Sequence, residues 1–266
     1  MLKKRIIPVL LLKNGWIVQS KNFSDHQKIG NAFNSVARLS EWGSDELIYL
    51  DISRDDNYDL NRDDQNYDNF DNFLNIIEAV AKTSFMPITV GGKIKTLDDI
   101  EKRLKLGADK ISINTKALDD KNFIKEAAEK FGSQCIVVSA DVKKINNNYY
   151  VHKKFGKENT GIKIEKWCEI VQENMAGEIM INSIDRDGKK EGYDLDLLKI
   201  AKENLDIPLI PLGGVGNWDH FSEAFDKLNI NTVAASNIFH YYDQSVYLAR
   251  KYLYEKKYDV RKPIIL

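Results

Sequence analysis

Gly91-Gly92-Lys93-Ile94-Lys95-Thr96-Leu97-Asp98-Asp99-Ile100-Glu101-Lys102-Arg103-Leu104, followed by Gly107 and then by Ile111-Ser112-Ile113-Asn114, is the stretch on which the fold turns. Leu97, Ile100 and Leu104 recur at helical spacing, Thr96 suits a helix cap, and Asp98 and Asp99 favour a helix N-terminus. Gly107 stands where that helix would stop, and 111–114 is a short apolar run of strand type. The pattern returns 122 residues later as Gly213-Gly214, an amphipathic stretch, then Val233-Ala234-Ala235-Ser236. Ile6 to Lys13 likewise aligns with Ile136 to Lys143 at an offset of 130, and Glu46-Leu47-Ile48 with Glu178-Ile179-Met180 at 132. The chain is a duplicated half.

Outward from this repeat, eight nearly continuous apolar runs mark the chain: Arg5 to Leu12, Glu46 to Asp51, Met86 to Val90, Lys110 to Ile113, Cys135 to Asp141, Glu178 to Asn182, Pro208 to Leu212 and Thr232 to Ala235. Runs without polar alternation suit parallel strands covered on both faces. Helical patterns separate them, including Asp194 to Asn204 and Asp219 to Leu228, and Gly132 is a further helix stop. The expected fold is therefore an α/β (β/α)8 TIM barrel of two half-barrel repeats, one domain over residues 1–266. The rival is an open doubly wound sheet, which usually carries an early glycine-rich fingerprint; Lys13-Asn14-Gly15-Trp16 follows the first run instead. The segment 53–71, rich in Asp and Asn with Tyr58, Tyr67 and Phe70, has no repeat counterpart and is an inserted loop, either a lid or a solvated excursion.

The 266 residues are 43% hydrophobic and 30% charged with 5 Pro, a composition of globular proteins rather than of disordered chains. Thirty-nine basic against 40 acidic residues leave a net charge of -1, so no global field draws the protein to nucleic acid or an anionic membrane. Cys135 and Cys168 lack metal or redox spacing and suit buried free thiols in a reducing compartment. Lys3-Lys4-Arg5 before an apolar run imitates a signal peptide, but Lys13-Asn14-Gly15 ends the run early and no small-residue cleavage pattern follows; a cytoplasmic protein is expected.

In such a barrel the loops after the strands build the active face. Gly91-Gly92 with Asn114-Thr115, and Gly213-Gly214 with Ser236, suit two backbone cradles for oxyanions, or simply tight turns. If they are cradles, the substrate carries a phosphate at each end. Lys93 beside the first pair either supplies a cation or blocks it. Asp141 ends the fifth run, where an ionisable group makes sense as a general acid/base aimed into the barrel mouth, or as a loop cap paired with Lys143 or Lys144. Its repeat partner at the end of the first run is Leu11, which moves no proton. Ser183-Ile184-Asp185-Arg186-Asp187-Gly188 is a polar cluster on the same face, with Asp187 and Gly188 as binding candidates, unless it is an internally paired turn. At the opposite ends, Arg5, Glu46, Lys110 and Glu178 alternate in sign and suit either a ring across the barrel floor or ordinary strand ends.

These strings, with Gly107-Ala108-Asp109-Lys110-Ile111-Ser112-Ile113-Asn114-Thr115 and Gly192-Tyr193-Asp194, resemble in order the cyclase subunit of imidazole glycerol phosphate synthase over nearly the whole chain. The resemblance implies a barrel that receives ammonia from a glutaminase at its lower face and condenses it with a bis-phosphate substrate above, with no cofactor and no metal. It makes Arg5, Glu46, Lys110 and Glu178 an ammonia gate, Asp109 a glutaminase contact, Asp141 one catalytic aspartate, and the Gly-Gly, Asn114-Thr115 and Ser236 elements phosphate sites. Departures from the family pattern cluster on the upper face: Leu11 for an aspartate, Gln19 for a lysine, Lys93 for a glycine, Phe155 for a serine, Asn182 for a threonine and Leu212 for a serine. Arg5 to Gly15 resembles the branch linked to acetamidino modification of surface sugars, where the barrel would serve a separate sugar amidotransferase. The expected function is thus an ammonia-receiving barrel for that modification, with a histidine-pathway cyclase or a non-catalytic glutaminase-activating scaffold as alternatives.

Overall fold

A computed structural model describes residues 3–56, 58 and 70–264. The described elements run in the order β1 (Arg5–Lys13), β2 (Trp16–Lys21), β3 (Asp25–Asn31), α1 (Ala32–Glu41), β4 (Leu47–Asp51), α2 (Phe73–Ala81), β5 (Ile88–Gly91), α3 (Leu97–Lys105), β6 (Lys110–Ile113), α4 (Thr115–Asp119) and α5 (Asn122–Phe131). The second half continues with β7 (Ile136–Ile145), β8 (Asn148–Lys153), β9 (Glu158–Lys163), α6 (Ile164–Glu173), β10 (Glu178–Ser183), α7 (Leu195–Glu203), β11 (Leu209–Leu212), α8 (Asp219–Leu228), β12 (Thr232–Ala235) and α9 (Ser245–Glu255).

Strands β1, β4, β5, β6, β7, β10 and β11 pair in parallel in that order, β12 pairs with β1, and β11 lies against β12, so the sheet closes on itself as a (β/α)8 barrel. Each of the eight apolar runs is one of these strands, to within two residues at the ends except at β7, which continues four residues beyond Asp141 to Ile145. Strand periodicity then splits the core in two. Ile7, Val9, Ile48, Val137, Met180, Ile210, Leu212 and Ala234 fill the bore. Their neighbours in the chain, such as Ile6, Leu47, Val138 and Ile179, point outward to the helices. Thr96 caps α3 through a reciprocal bond with Asp99, as its sequence suggests. Cys168 is buried, which pushes its thiol up to about 12, whereas Cys135 is only half-buried.

Two antiparallel hairpins go beyond the eight-unit reading. β2–β3 extends β1 and β8–β9 extends β7, so the hairpins themselves repeat between the halves. The turns that join them to the barrel strands, Asn14-Gly15 between β1 and β2 and Asn146-Asn147 between β7 and β8, both place two successive residues at positive φ, the geometry that matches strand twist in a two-residue loop.

Candidate functional site

At the C-terminal ends of the barrel strands lies a cavity of about 1140 Å³. Its floor and walls are the upper side chains of the bore: Leu11, Leu50, Ser139, Asp141, Asn182 and Leu212. Asp141 is an inward position of β7, two residues above Ser139, and is buried. Burial pushes its carboxyl up to about 7, against the pull of the amides of Asn114 and Asn182; Asp187 adds a further push upward. Asn114 donates to Asp141 Oδ2 at 2.9 Å. Lys143 and Lys144 are exposed, so the carboxylate faces the cavity rather than a lysine partner.

The two glycine pairs stand at the ends of β5 and β11 as the sequence suggests, but with a shift in register. β5 and β11 align at 121 rather than 122, so Gly92 matches Gly213 (φ 106° and 99°) and Lys93 matches Gly214 (φ 58° and 95°). One extra residue follows in the second half, and Asn114 and Ser236 then correspond at 122, both in the same unusual backbone region, with φ/ψ of -121°/-94° and -105°/-80°. Gly91 is set back from the cavity beneath the mouth, where a Cβ would strike Leu50 Cδ2 at 2.6 Å. At Gly92 a Cβ would lie 2.2 Å from the carbonyl oxygen of Asp51, so close approach to β4 itself requires glycine there. Thr115, Asp187 and Gly188 also line the mouth, but Asp187 Oδ2 already accepts from the Ser20 hydroxyl at 2.7 Å and the Phe23 amide at 2.9 Å, which ties down the β2–β3 hairpin.

Lys93 turns away from the bore. Its ammonium lies 3.3 Å from Asp51 Oδ2 and 3.5 Å from Asp56 Oδ1, and donates to the Asp55 carbonyl. Tyr58, buried against Gly15, donates to the same Asp51 oxygen at 3.0 Å. Of the 53–71 segment, residues 57 and 59–69 lie outside the described residues; its described beginning is pinned over the first cradle by this cluster. Asp51 was legible on the same grounds as Asp141, since it closes the second apolar run. Of the six departures, Leu11, Lys93, Phe155, Asn182 and Leu212 line the cavity, while Gln19 pairs with Gln27 along the hairpin.

At the other end of the bore the four charged residues meet. Arg5 contacts Glu46 at 2.5 Å and Glu178 at 2.9 Å, and Lys110 contacts the same two carboxylates at 3.1 and 3.2 Å, closing an alternating ring. Burial works against the charge on Arg5, yet Glu178 and Glu46 together hold its guanidinium above its ordinary pKa. Asp109 is exposed on this face, and its carboxylate accepts from the Ile88 amide at 2.8 Å; Asp45 does the same for Ile6 at 2.9 Å. Among the described residues no helix is long and apolar enough to cross a membrane.

Residues 5–245 match the histidine biosynthesis protein family. The chain is 38% identical over 262 residues to imidazole glycerol phosphate synthase subunit HisF of Streptococcus mutans serotype c, covering 98% of this chain and 100% of that protein. It is equally similar to the subunit of the same name from a Hydrogenobaculum species, 38% over 262 residues with the same coverage. With that of an Exiguobacterium species it shares 40% over 235 residues, 88% of each chain.

Proposed function

We propose, on the premise that the chain belongs to the family of imidazole glycerol phosphate synthase cyclase subunits, that it is the acceptor-condensing barrel of a glutamine-dependent amidotransferase. Ammonia released by a glutaminase enters through the charged ring, crosses the bore and reacts at the upper mouth with Asp141 as general base. The observation that carries this reading is the sequence of environments along one axis: a closed ring of four charges, an apolar bore of Ile7, Ile48, Val137 and Met180, then a cavity holding Asp141. Neutral ammonia crosses apolar side chains at small cost, whereas ammonium is held back by desolvation. A carboxyl near pKa 7 takes a proton from the nitrogen as it bonds to the acceptor and returns it later.

The names of the relatives support a cyclase of histidine biosynthesis. One observation favours a second reading, an altered acceptor of the kind expected for acetamidino modification of surface sugars: Leu11 faces the cavity from β1 beside Leu50, where the family pattern has a second aspartate. The decisive assay supplies the purified barrel and its glutaminase with the cyclase substrate and either glutamine or an ammonium salt. Loss of one acid/base group costs roughly 10²- to 10⁴-fold, so cyclase turnover is expected to be lower than that of the relatives by that factor. Turnover equal to theirs would establish the histidine-pathway reading. Glutamine hydrolysis without transfer to any acceptor would favour the scaffold.

A further inference from the structure

The two ends of the cavity are built on one backbone and carry opposite chemistry. At the second-half end, Gly214 presents bare backbone, and the Ser236 hydroxyl is buried without a partner. A hydroxyl and the backbone amides of Gly213 and Gly214, which line the cavity, are donors, which is what a phosphate requires. Asp187, a carboxylate that lines the cavity, is engaged with Ser20 and Phe23.

At the first-half end the side chain of Lys93 occupies the position of Gly214. A lysine at φ 58° adopts a left-handed conformation that side chains disfavour; the contacts of its ammonium with Asp51, Asp56 and the Asp55 carbonyl hold it there. Asp51 matches Ser183 by strand register, so the second half has no carboxylate at that position. The remaining buried, unpartnered atom here is Asn114 Oδ1, an acceptor whose amide nitrogen is committed to Asp141. A phosphate dianion offers acceptors only, and would face both this oxygen and the Asp51 and Asp56 carboxylates. A hydroxyl donates to Asn114 and leaves the Lys93–Asp51 pair intact. Lys95 and Arg54 on this rim are exposed and screened by water.

We propose that the cavity takes an acceptor with an oxyanion at one end only, held at Gly213, Gly214 and Ser236, and an uncharged, hydroxyl-bearing end at Lys93 and Asn114. This rests on the cavity being the acceptor site, but its test requires neither glutaminase nor turnover, so failure of ammonia transfer would leave it standing. Inorganic phosphate is titrated calorimetrically into the intact chain, and the sites are located by soaking crystals. The wild type is expected to bind one phosphate, at Ser236, and Ser236→Ala to weaken it about tenfold, the order of one lost hydrogen bond to a charged group. The double variant Lys93→Gly with Asp51→Ser, which copies Gly214 and Ser183, is expected to bind two. Should that variant fail to fold, Lys93→Gly with Asp51→Asn, which removes the same charge but keeps an acceptor for Tyr58, is expected to show a weaker second site. Two phosphates on the wild type, none at Ser236, or no second site in a folded variant would each overturn the proposal.

Discussion

Asp141 holds a carboxyl whose pKa, pushed up to about 7 by burial beneath the cavity, bears both on the proposed role as general base and on folding stability. A carboxyl raised from 3.8 in the unfolded chain to about 7 in the fold binds its proton more tightly when folded. Folding stability therefore falls as pH rises through that window, and above it the site costs about 4 kcal/mol. Asp141→Asn keeps the shape and accepts the Asn114 bond without ionising. Its melting temperature is expected to exceed that of the wild type by several degrees at pH 8 and to match it closely at pH 4, while acceptor amidation is lost; an equal offset at both pH values would remove the ionisation argument. The site was legible here because a charge at the end of an apolar run has few reasons to exist. Lys93 was not legible to the same depth, since a residue letter does not state that its backbone is left-handed or that its ammonium turns back onto Asp51.

At the scale of elements, the eight parallel strands were readable from unbroken apolar runs, because both faces of each are covered and no polar alternation dilutes the signal. The hairpins were not. Asp25–Asn31 is largely polar and half-exposed, so it carries no core periodicity, although Asn14-Gly15 is the dipeptide that two-residue hairpin loops favour. The one-residue shift between Gly92 and Gly213 escaped for another reason: matching the glycine pairs as strings hides that Gly91 belongs to strand β5 and Gly214 to the loop. What fixes β2–β3 over the mouth is Asp187, together with the mutual bonds of Asn237 and the Ser20 backbone. Removing a carboxylate that accepts two such bonds costs about 1–3 kcal/mol locally. Asp187→Ala is expected to accelerate amide hydrogen exchange across 16–31 at least tenfold and leave 148–163 unchanged; equal protection in both hairpins would mean that the hairpin stands without its latch.

Along the whole molecule, the ring and the exposed Asp109 on the lower face assign separable tasks to neighbouring residues, even though Asp109 and Lys110 are adjacent in the chain. Lys110 bridges Glu46 and Glu178 across the floor of the bore, so Lys110→Met leaves two buried carboxylates sharing Arg5 alone. Breaking a buried pair costs about 3–5 kcal/mol, and the partial exposure of this ring reduces that figure. This alters the floor of the bore, the entrance of the proposed channel, and leaves the exposed Asp109 beside it untouched. In the proposed complex, Lys110→Met is expected to bind glutaminase normally and hydrolyse glutamine, while the ratio of amidated acceptor to glutamine consumed falls about tenfold. Asp109 calls for a gentler change, because its carboxylate also accepts the Ile88 amide; alanine would unsettle the start of β5, whereas Asp109→Asn retains an acceptor and removes only the charge presented to a partner. Asp109→Asn is expected to weaken the glutaminase complex about tenfold by calorimetry with coupling intact in the complex that forms. If Lys110→Met transferred ammonia as the wild type does, nothing would be passing the ring, and the four charges would be a salt-bridged plug that closes the barrel floor.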